Sequence, residues 1–570
     1  MQRAHDFNAR RGWTQSYTEG TRADIELPTG SLVDVLDDSC QRYAELACLD
    51  FFGQEISFRE FHRLVQRAAG WLYEHGVRFG DRVALLMPNC PQHMIAFYAV
   101  WRLGGVVVEH NPLYTEDELR TQFLDHRAAT AIVWDVKASV VQSIAQECGV
   151  ETIISVNMVE AMPLSMRLGL SLPIAKAREA RAKLTAEAPG TINFRALVKH
   201  APVAEDVRRP TKDDIATLQY TSGTTGVPRG AIITHANLQS NARMGKAWMP
   251  KLDFGHEVIY AILPLFHSFG VMLTAVYAIF MGARAVMMPT FDAGMVAKAS
   301  LKHPPTFLAA VPPMFDRMAR VQRQNPDGCD LHHVVYAVSG AMTLNDAVVD
   351  RWESATGGLL AEGYGLTEAS PVVLANPFAH NRKVGTIGIP FPSTQMKIVD
   401  PDDLDREVEF GEVGELLVKG PQVFQGYWNR PNETAQTLLP DGWLRTGDLV
   451  TEDEDGFVTV VDRKKEIIIT GGFNVSPSEV EKVLLDAPGV AEAAVVGISR
   501  GTNKAEIVTA VVVPEQGTVF DEAAVRAYCR EHLVEYKVPR AYVVWDELPK
   551  NLMGKVQRKQ VKDRLLAENA

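Results

Sequence analysis

Leu218-Gln-Tyr-Thr-Ser-Gly-Thr-Thr-Gly-Val-Pro-Arg-Gly230 decides how this chain is read. An apolar strand runs into a loop dense in Gly, Ser and Thr, with a single cation, Arg229. Such a loop offers backbone N–H groups and hydroxyls to phosphate oxygens, and a guanidinium adds charge. Gly-Lys-Ser/Thr is missing, so this is not a Walker A loop. The alternative, a flexible hydroxyl-rich turn, explains the density of Gly, Ser and Thr less well.

Downstream, Glu362-Gly-Tyr-Gly-Leu-Thr-Glu368 approaches the dinucleotide fingerprint but has Glu368 where the third glycine belongs. A base can stack on Tyr364 beside the bare backbone of Gly363 and Gly365, and Glu368 offers a hard oxygen suited to Mg²⁺. Further on, Trp443-Leu-Arg-Thr-Gly-Asp448 precedes Val461-Asp-Arg463-Lys-Lys465. A carboxylate on a tight turn can accept both ribose hydroxyls, and an arginine can reach the same sugar or the phosphate. Near the end, Leu548-Pro-Lys-Asn-Leu-Met-Gly-Lys555 sets a lysine after a glycine turn. Taken singly, these last groups read as surface charges.

Around these motifs the pattern is that of a folded α/β protein. Phe58 to Leu72 is an amphipathic helix, Val83 to Met87 a short strand, Pro91 to Leu103 a helix and Val106 to Val108 a strand. That alternation predicts βαβ units and a mostly parallel sheet, and it resumes from Asp213 to about Gly388. Residues 156–207 break the rhythm with a stretch that is apolar first and basic later. An inserted surface helix accounts for it, and peripheral contact with an anionic membrane is the sharper reading. Residues 411–461 are strand-rich and suggest a small β-barrel-like unit. Ser476-Pro-Ser-Glu479 then reads as a helix N-terminus with Pro at its first position. A separate α+β domain of about 100 residues follows.

The length of 570 residues fits several domains or subdomains, and 46% apolar residues suffice for large cores. A formal charge of −12 argues against nucleic acid as a partner. Six cysteines without a CxxC pair fit reduced thiols, hence a cytoplasmic protein, and Met1 to Gly20 is too polar for a secretory signal. Val258 to Ala283 carries no Asp, Glu, Lys or Arg over 26 residues. Pro264, His267, Ser268 and Gly270 interrupt it, so it reads as a buried strand ending in Leu-Pro-Leu-Phe-His followed by a buried helix from Met272 to Met281.

Together, in this order, the motifs resemble the adenylate-forming superfamily of acyl-CoA synthetases, luciferases and peptide-synthetase adenylation domains, over nearly the whole chain. The resemblance implies a phosphate loop at Thr221, Ser222, Gly223, Thr224, Thr225, Gly226 and Arg229, the last replacing a usual lysine. It implies an adenine and Mg²⁺ motif at Glu362, Gly363, Tyr364, Gly365, Thr367 and Glu368, with Thr224 and Glu368 as metal ligands. Ser339, Gly340 and Ala341 would line the adenine pocket, and Asp448 and Arg463 would hold the ribose. The catalytic set would be Lys555, His267, Thr367 and Glu368, with Pro264 to His267 bordering the acyl site. Gly471, Gly472 and Phe473 would flank the CoA tunnel. The implied fold is a large N-terminal domain over 1–462, a hinge over 463–466 centred on Lys465, and a small mobile domain over 467–570.

Phe473-Asn-Val-Ser-Pro and Gly363 to Pro371 resemble the bacterial medium- and long-chain fatty acyl-CoA ligases. ATP, Mg²⁺ and CoA are then expected, with a fatty acid as substrate in a greasy pocket walled by Leu263, Phe266, Val311, Met314 and Val271 to Phe280. The rivals are a fatty-acyl-AMP ligase, an aryl acid ligase, and a catalytically dead lipid-sensing paralogue. The paralogue is disfavoured by intact Glu368, Asp448, Arg463 and Lys555. The sequence fixes no oligomeric state; a homodimer is one option. His332-His333 lacks the following Asp of condensation enzymes, since position 337 is Ala, and no GxSxG elbow is present.

Overall fold

The computed structural model describes residues 4–221, 228–464, 466–470, 473–499, 506–551 and 554–568. They form two compact units. The first comprises Thr14–Gln395 and Lys419–Leu444, and the second the described parts of Met1–Trp13, Met396–Val418 and Arg445–Ala570.

The first unit is built on two large sheets. One runs in the order Ile192–Asn193, Thr152–Val156, Thr130–Trp134, Arg82–Leu86, Val106–Glu109, Ile215–Thr221, Arg229–Thr234. All neighbours are parallel except the last pair, which is a hairpin. Every residue of Val106–Glu109 is buried, as expected for an inner parallel strand covered on both faces. The other sheet holds six parallel strands, in the order Leu359–Gly365, Tyr336–Ser339, Phe307–Ala310, Val258–Ala261, Arg284–Met287, Ala47–Phe51, extended at both edges by antiparallel strands. Helices pack on it. Phe315 meets Trp352 edge-on at 4.8 Å, and both are fully buried. The helix Phe58–Glu74 carries the apolar stripe expected of it, burying Phe58, Phe61, Val65 and Leu72.

Two readings need correction. The segment Leu263 to His267 is not a strand, because the strand ends at Ala261. Pro264 has no N–H for a ladder, and Asn89 takes the neighbouring backbone groups: its Nδ2 donates to the carbonyls of Ala261 and Leu263, and its Oδ1 accepts from Leu265 N–H. The insert is not one helix but two, Leu164–Ser171 and Ala175–Ala182, separated at Pro173.

The strand-rich stretch of the second unit is a four-stranded sheet, Gln395–Val399, Gly414–Lys419, Leu444–Glu452 and Val458–Arg463 in that order. The C-terminal part has a three-stranded sheet of Val490–Ser499, Glu506–Pro514 and Ala541–Val544, covered by helices. The helix Pro477–Leu485 starts as its sequence demands. Ser476 caps it by accepting from Glu479 N–H, and Pro477 stands where no donor is needed. Among the described residues, no helix is long and apolar enough to cross a membrane.

Candidate active site

Thr221 and Arg229 face each other as the closing pair of the hairpin that carries the Gly/Ser/Thr loop. Residues 222–226 of that loop lie outside the described residues. The return strand was not read from the sequence, and it fixes Arg229. Its guanidinium lies over the ring of Tyr427, 4.3 Å from the centroid. The Tyr427 hydroxyl in turn donates to Glu368 Oε1 at 2.6 Å. Three groups from three places in the chain thus form one line of contact: cation, aromatic ring, carboxylate. Tyr427 escaped the sequence reading because nothing local in Gly426-Tyr427-Trp428 marks it. Its segment pairs with the strand of Arg229, with Trp428 N–H donating to Gly230 O and Ile232 N–H to Gly426 O. Arg229 Nε and Thr221 Oγ1 are buried without a partner among the described residues.

Ser339 and Glu362 are register partners at the carboxyl ends of adjacent parallel strands, where open α/β sheets bind ligands. Gly340 is required there: a Cβ on it would stand 2.9 Å from the Phe269 ring and 3.3 Å from the Gly363 carbonyl. Ala341 has φ +65°, a left-handed conformation that costs energy for a residue with a Cβ and that clusters at functional sites. Among the described residues Ser339 Oγ is buried and has no partner, leaving a donor and acceptor for a ligand. Glu362 accepts from Leu344 N–H at 3.0 Å, and burial pushes its carboxyl up to about 8. Tyr364 and Thr367 follow on the same connection, and Thr367 Oγ1 lies 3.4 Å from Ser268 Oγ.

His267, next to Ser268, caps the following helix. Its Nδ1 accepts from Phe269 N–H at 3.2 Å. Burial pushes the imidazole down to about 4, so the neutral ring holds its proton on Nε2. The loop carrying it is held by Asn89, which nothing local in Pro88-Asn89-Cys90 marks.

An apolar cavity of about 60 Å³ opens beside these groups. Trp248, Met249, Phe269, Met272, Tyr277 and Phe307 form much of its wall, and Glu362 and Gly363 stand at it too. The apolar stretch 271–280 contributes as expected. Leu263, Phe266, Val311 and Met314 do not line it. Met314 instead packs against the core between the sheet and its helices, and Val311 precedes a helix N-terminus. Apolar character alone does not tell which face of an element looks into a cavity.

In the second unit Asp448 and Arg463 are register partners on adjacent strands, and Arg463 Nε meets Asp448 Oδ1 at 3.0 Å. Lys555 sits on a turn closed by Asn551, with Gly554 at φ +80°. Lys555 is exposed, yet the surrounding protein and then the Arg463 guanidinium hold its ammonium below the usual lysine range, against Glu466 and Asp448. The structure therefore brings Asp448, Arg463 and Lys555 together. Phe473 begins a short strand paired with Ile468–Thr470. Lys465, Gly471 and Gly472 lie outside the described residues.

Glu368 offers the hard oxygen chemistry that Mg²⁺ requires, and the Tyr427 hydroxyl orients that carboxylate. The other expected ligand, Thr224, is outside the described residues.

The AMP-binding enzyme model matches residues 36–428, and the AMP-binding enzyme C-terminal domain model matches residues 479–555. A long-chain-fatty-acid–CoA ligase of Bacillus subtilis is 35% identical over 97% of this chain and 98% of its own. One from Salmonella typhimurium is 36% identical over 97% and 98%. Among solved structures, ATP-bound MatB from Rhodopseudomonas palustris superposes with a TM-score of 0.80 at 29% identity, covering 94% of this chain and 98% of that one. With both family models matched and near-full-length relatives above 30% identity, the chain belongs to the AMP-binding, adenylate-forming enzyme family.

Proposed function

We propose that the protein activates a medium- to long-chain fatty acid with MgATP and transfers the acyl group to CoA. The observation that carries the reading is the apolar cavity lined by Phe269 and Gly363, at the carboxyl ends of the strands that would hold a nucleotide. The two fatty-acid ligases that match over nearly the whole chain support it.

In the first step a carboxylate oxygen of the acid attacks the α-phosphorus of ATP. The bond to pyrophosphate breaks, and an acyl-adenylate forms. Negative charges meet, so the site must supply oriented donors and cations. Arg229, stacked on Tyr427, offers its fork to phosphate oxygens. His267 offers Nε2–H to the carboxylate. Asp448 and Arg463 hold the ribose, and Lys555 approaches the reacting oxygens. Mg²⁺ on Glu368 would neutralise phosphate charge. In the second step the CoA sulfur attacks the acyl carbon, its proton leaves to solvent, and AMP departs. Residues 467–570, turning about 463–466, exchange Lys555 for the Gly471–Phe473 region between steps.

The test is a two-stage assay with dodecanoate. Pyrophosphate should appear with MgATP and acid alone, and CoA should convert the bound adenylate to dodecanoyl-CoA with release of AMP. Adenylate that forms but ignores CoA would make the protein an acyl-AMP ligase, and no pyrophosphate release with any acid would sink the enzymatic reading.

A further inference from the structure

The two helices of the insert have almost nothing to bury. Leu164–Ser171 has no buried residue, and Ala175–Ala182 buries only Ala177. Helices of eight residues are marginal in water unless a face is packed. Here the unpacked face is apolar. Leu164, Leu168, Leu172 and Ile174 are 66, 59, 51 and 53% exposed. The first three recur at intervals of four, on one side of the helix and its C-cap. Four large aliphatic side chains exposed within eleven residues are not the scattered apolar residues of an ordinary surface.

The charge beside them is unusual for this chain. Between residues 162 and 184 stand Arg167, Lys176, Arg178, Arg181 and Lys183 against one acid, Glu179, in a protein of formal charge −12. Glu179 is occupied by Lys183 at 2.9 Å. Lys176, Arg178 and Arg181 are exposed, and among the described residues none makes an ion pair with a carboxylate. The pair of helices is pinned to the body at both ends. Met162 is buried, and Trp134 Nε1 donates to Leu184 O at 2.9 Å. It is a tethered, greasy element with a basic border.

We propose that the segment 164–183 is a docking surface for an anionic lipid membrane. Leu164, Leu168, Leu172 and Ile174 would enter the boundary between headgroups and acyl chains, and Lys176, Arg178 and Arg181 would lie against lipid phosphates. Exposed aliphatic side chains bordered by basic ones match the layering of an anionic bilayer, with charged headgroups beside acyl chains. An enzyme docked there would meet its substrate where fatty acids partition. The docking surface stands on its own observations and would survive a failure of the substrate assignment.

The experiment is sedimentation of the full-length protein with vesicles of phosphatidylcholine alone or mixed with phosphatidylglycerol. The wild type should bind the mixed vesicles, bind phosphatidylcholine weakly, and detach as salt is raised. Leu164→Glu with Leu168→Glu, and separately Lys176→Glu with Arg178→Glu, should each weaken partitioning about tenfold or more. Both variants should keep wild-type turnover of soluble octanoate, which shows that they are folded. Equal binding by wild type and variants would overturn the proposal, as would no binding by the wild type. A change of oligomeric state in the variants, read by size-exclusion chromatography, with vesicle binding intact would assign the patch to a protein interface instead.

Discussion

In the proposed mechanism the two chemical steps divide at Lys555. It lies beside Asp448 and Arg463 in the same unit, so the pair proposed to hold the ribose and the ammonium proposed to act are carried together. Its charge matters when carboxylate and phosphate oxygens crowd, and not when a neutral thioester forms. Lys555→Ala should slow adenylation from acid and MgATP by about 10²–10³, while supplied acyl-adenylate and CoA still give thioester at a near-normal rate. Loss of both half-reactions on one folded preparation would count against that role. Tyr427 makes a second statement at this scale. Its ring supports Arg229 and its hydroxyl orients Glu368. Tyr427→Phe keeps the ring and removes a hydrogen bond to a charged group, a contact worth about 1.5–3 kcal/mol. The KM for MgATP should rise about tenfold or more, with the acid KM little changed. An equal rise in both would mean that the tyrosine only supports the fold. An arginine at position 229 is also explained here: a planar guanidinium stacks on an aromatic face in a way an ammonium does not.

Among elements, the segment around the expected hinge is tied to two helices by Arg558. Arg558, the first residue of the C-terminal helix, donates through Nε and Nη2 to both oxygens of Glu481, at 2.8 and 2.6 Å, and through Nη2 to Ser478 Oγ at 2.6 Å. Its Nη1 meets Asp462, just before the expected hinge, at 3.3 Å and also pairs with Glu466, the last residue of that hinge. Arg558→Met strands these carboxylates, and full-length protein should lose about 3–5 kcal/mol in urea unfolding. Arg558→Lys should recover only part of it, lacking the fork. A loss below about 1 kcal/mol would mean that solvent screens the cluster. Elements of this kind were partly legible beforehand. Strands and helices follow from local periodicity, so Phe58–Glu74, Val106–Glu109 and the Ser476-capped helix were all readable. The Gly/Ser/Thr loop, the Tyr364 to Glu368 motif and Gly554-Lys555 stand out as candidate site segments because the residues of each are contiguous in sequence. Tyr427, Asn89 and the Arg558 cluster do not, since each acts across more than fifty residues of chain. The strand assigned to Leu263–His267 failed for the same reason: a distant Asn89 takes the backbone groups. Four expected cavity residues failed because the facing of an apolar side chain is decided by packing.

For the molecule as a whole, buried titratable groups set a pH window. Burial pushes His110, His235 and His267 down to about 4, and His126 well below its usual value. Folded pKa values below the unfolded one mean that the unfolded chain binds more protons as pH falls from about 6.5 to 4, so these groups cost stability over that range. Glu362 and Glu452 act oppositely. Burial pushes both up to about 8, so their contribution is lost as pH rises from about 4.5 to 8. Glu109, Asp135, Glu160 and Glu481 are also held above the usual carboxylate range by burial, so a single group is isolated by its variant. Glu362→Gln should reduce the fall of the urea midpoint between pH 6.5 and 8; an unchanged fall contradicts the assignment. The same burial shapes function, because a cavity walled by Trp248, Met272, Tyr277 and Phe307 gains with each methylene it takes from water, by about 0.8 kcal/mol. The most direct measurement is therefore kcat/KM for CoA-dependent AMP release across unbranched acids, with benzoate alongside. The account predicts a steady rise from butyrate to at least dodecanoate, with one thioester formed per AMP. Acetate or benzoate turning over better than dodecanoate would contradict it.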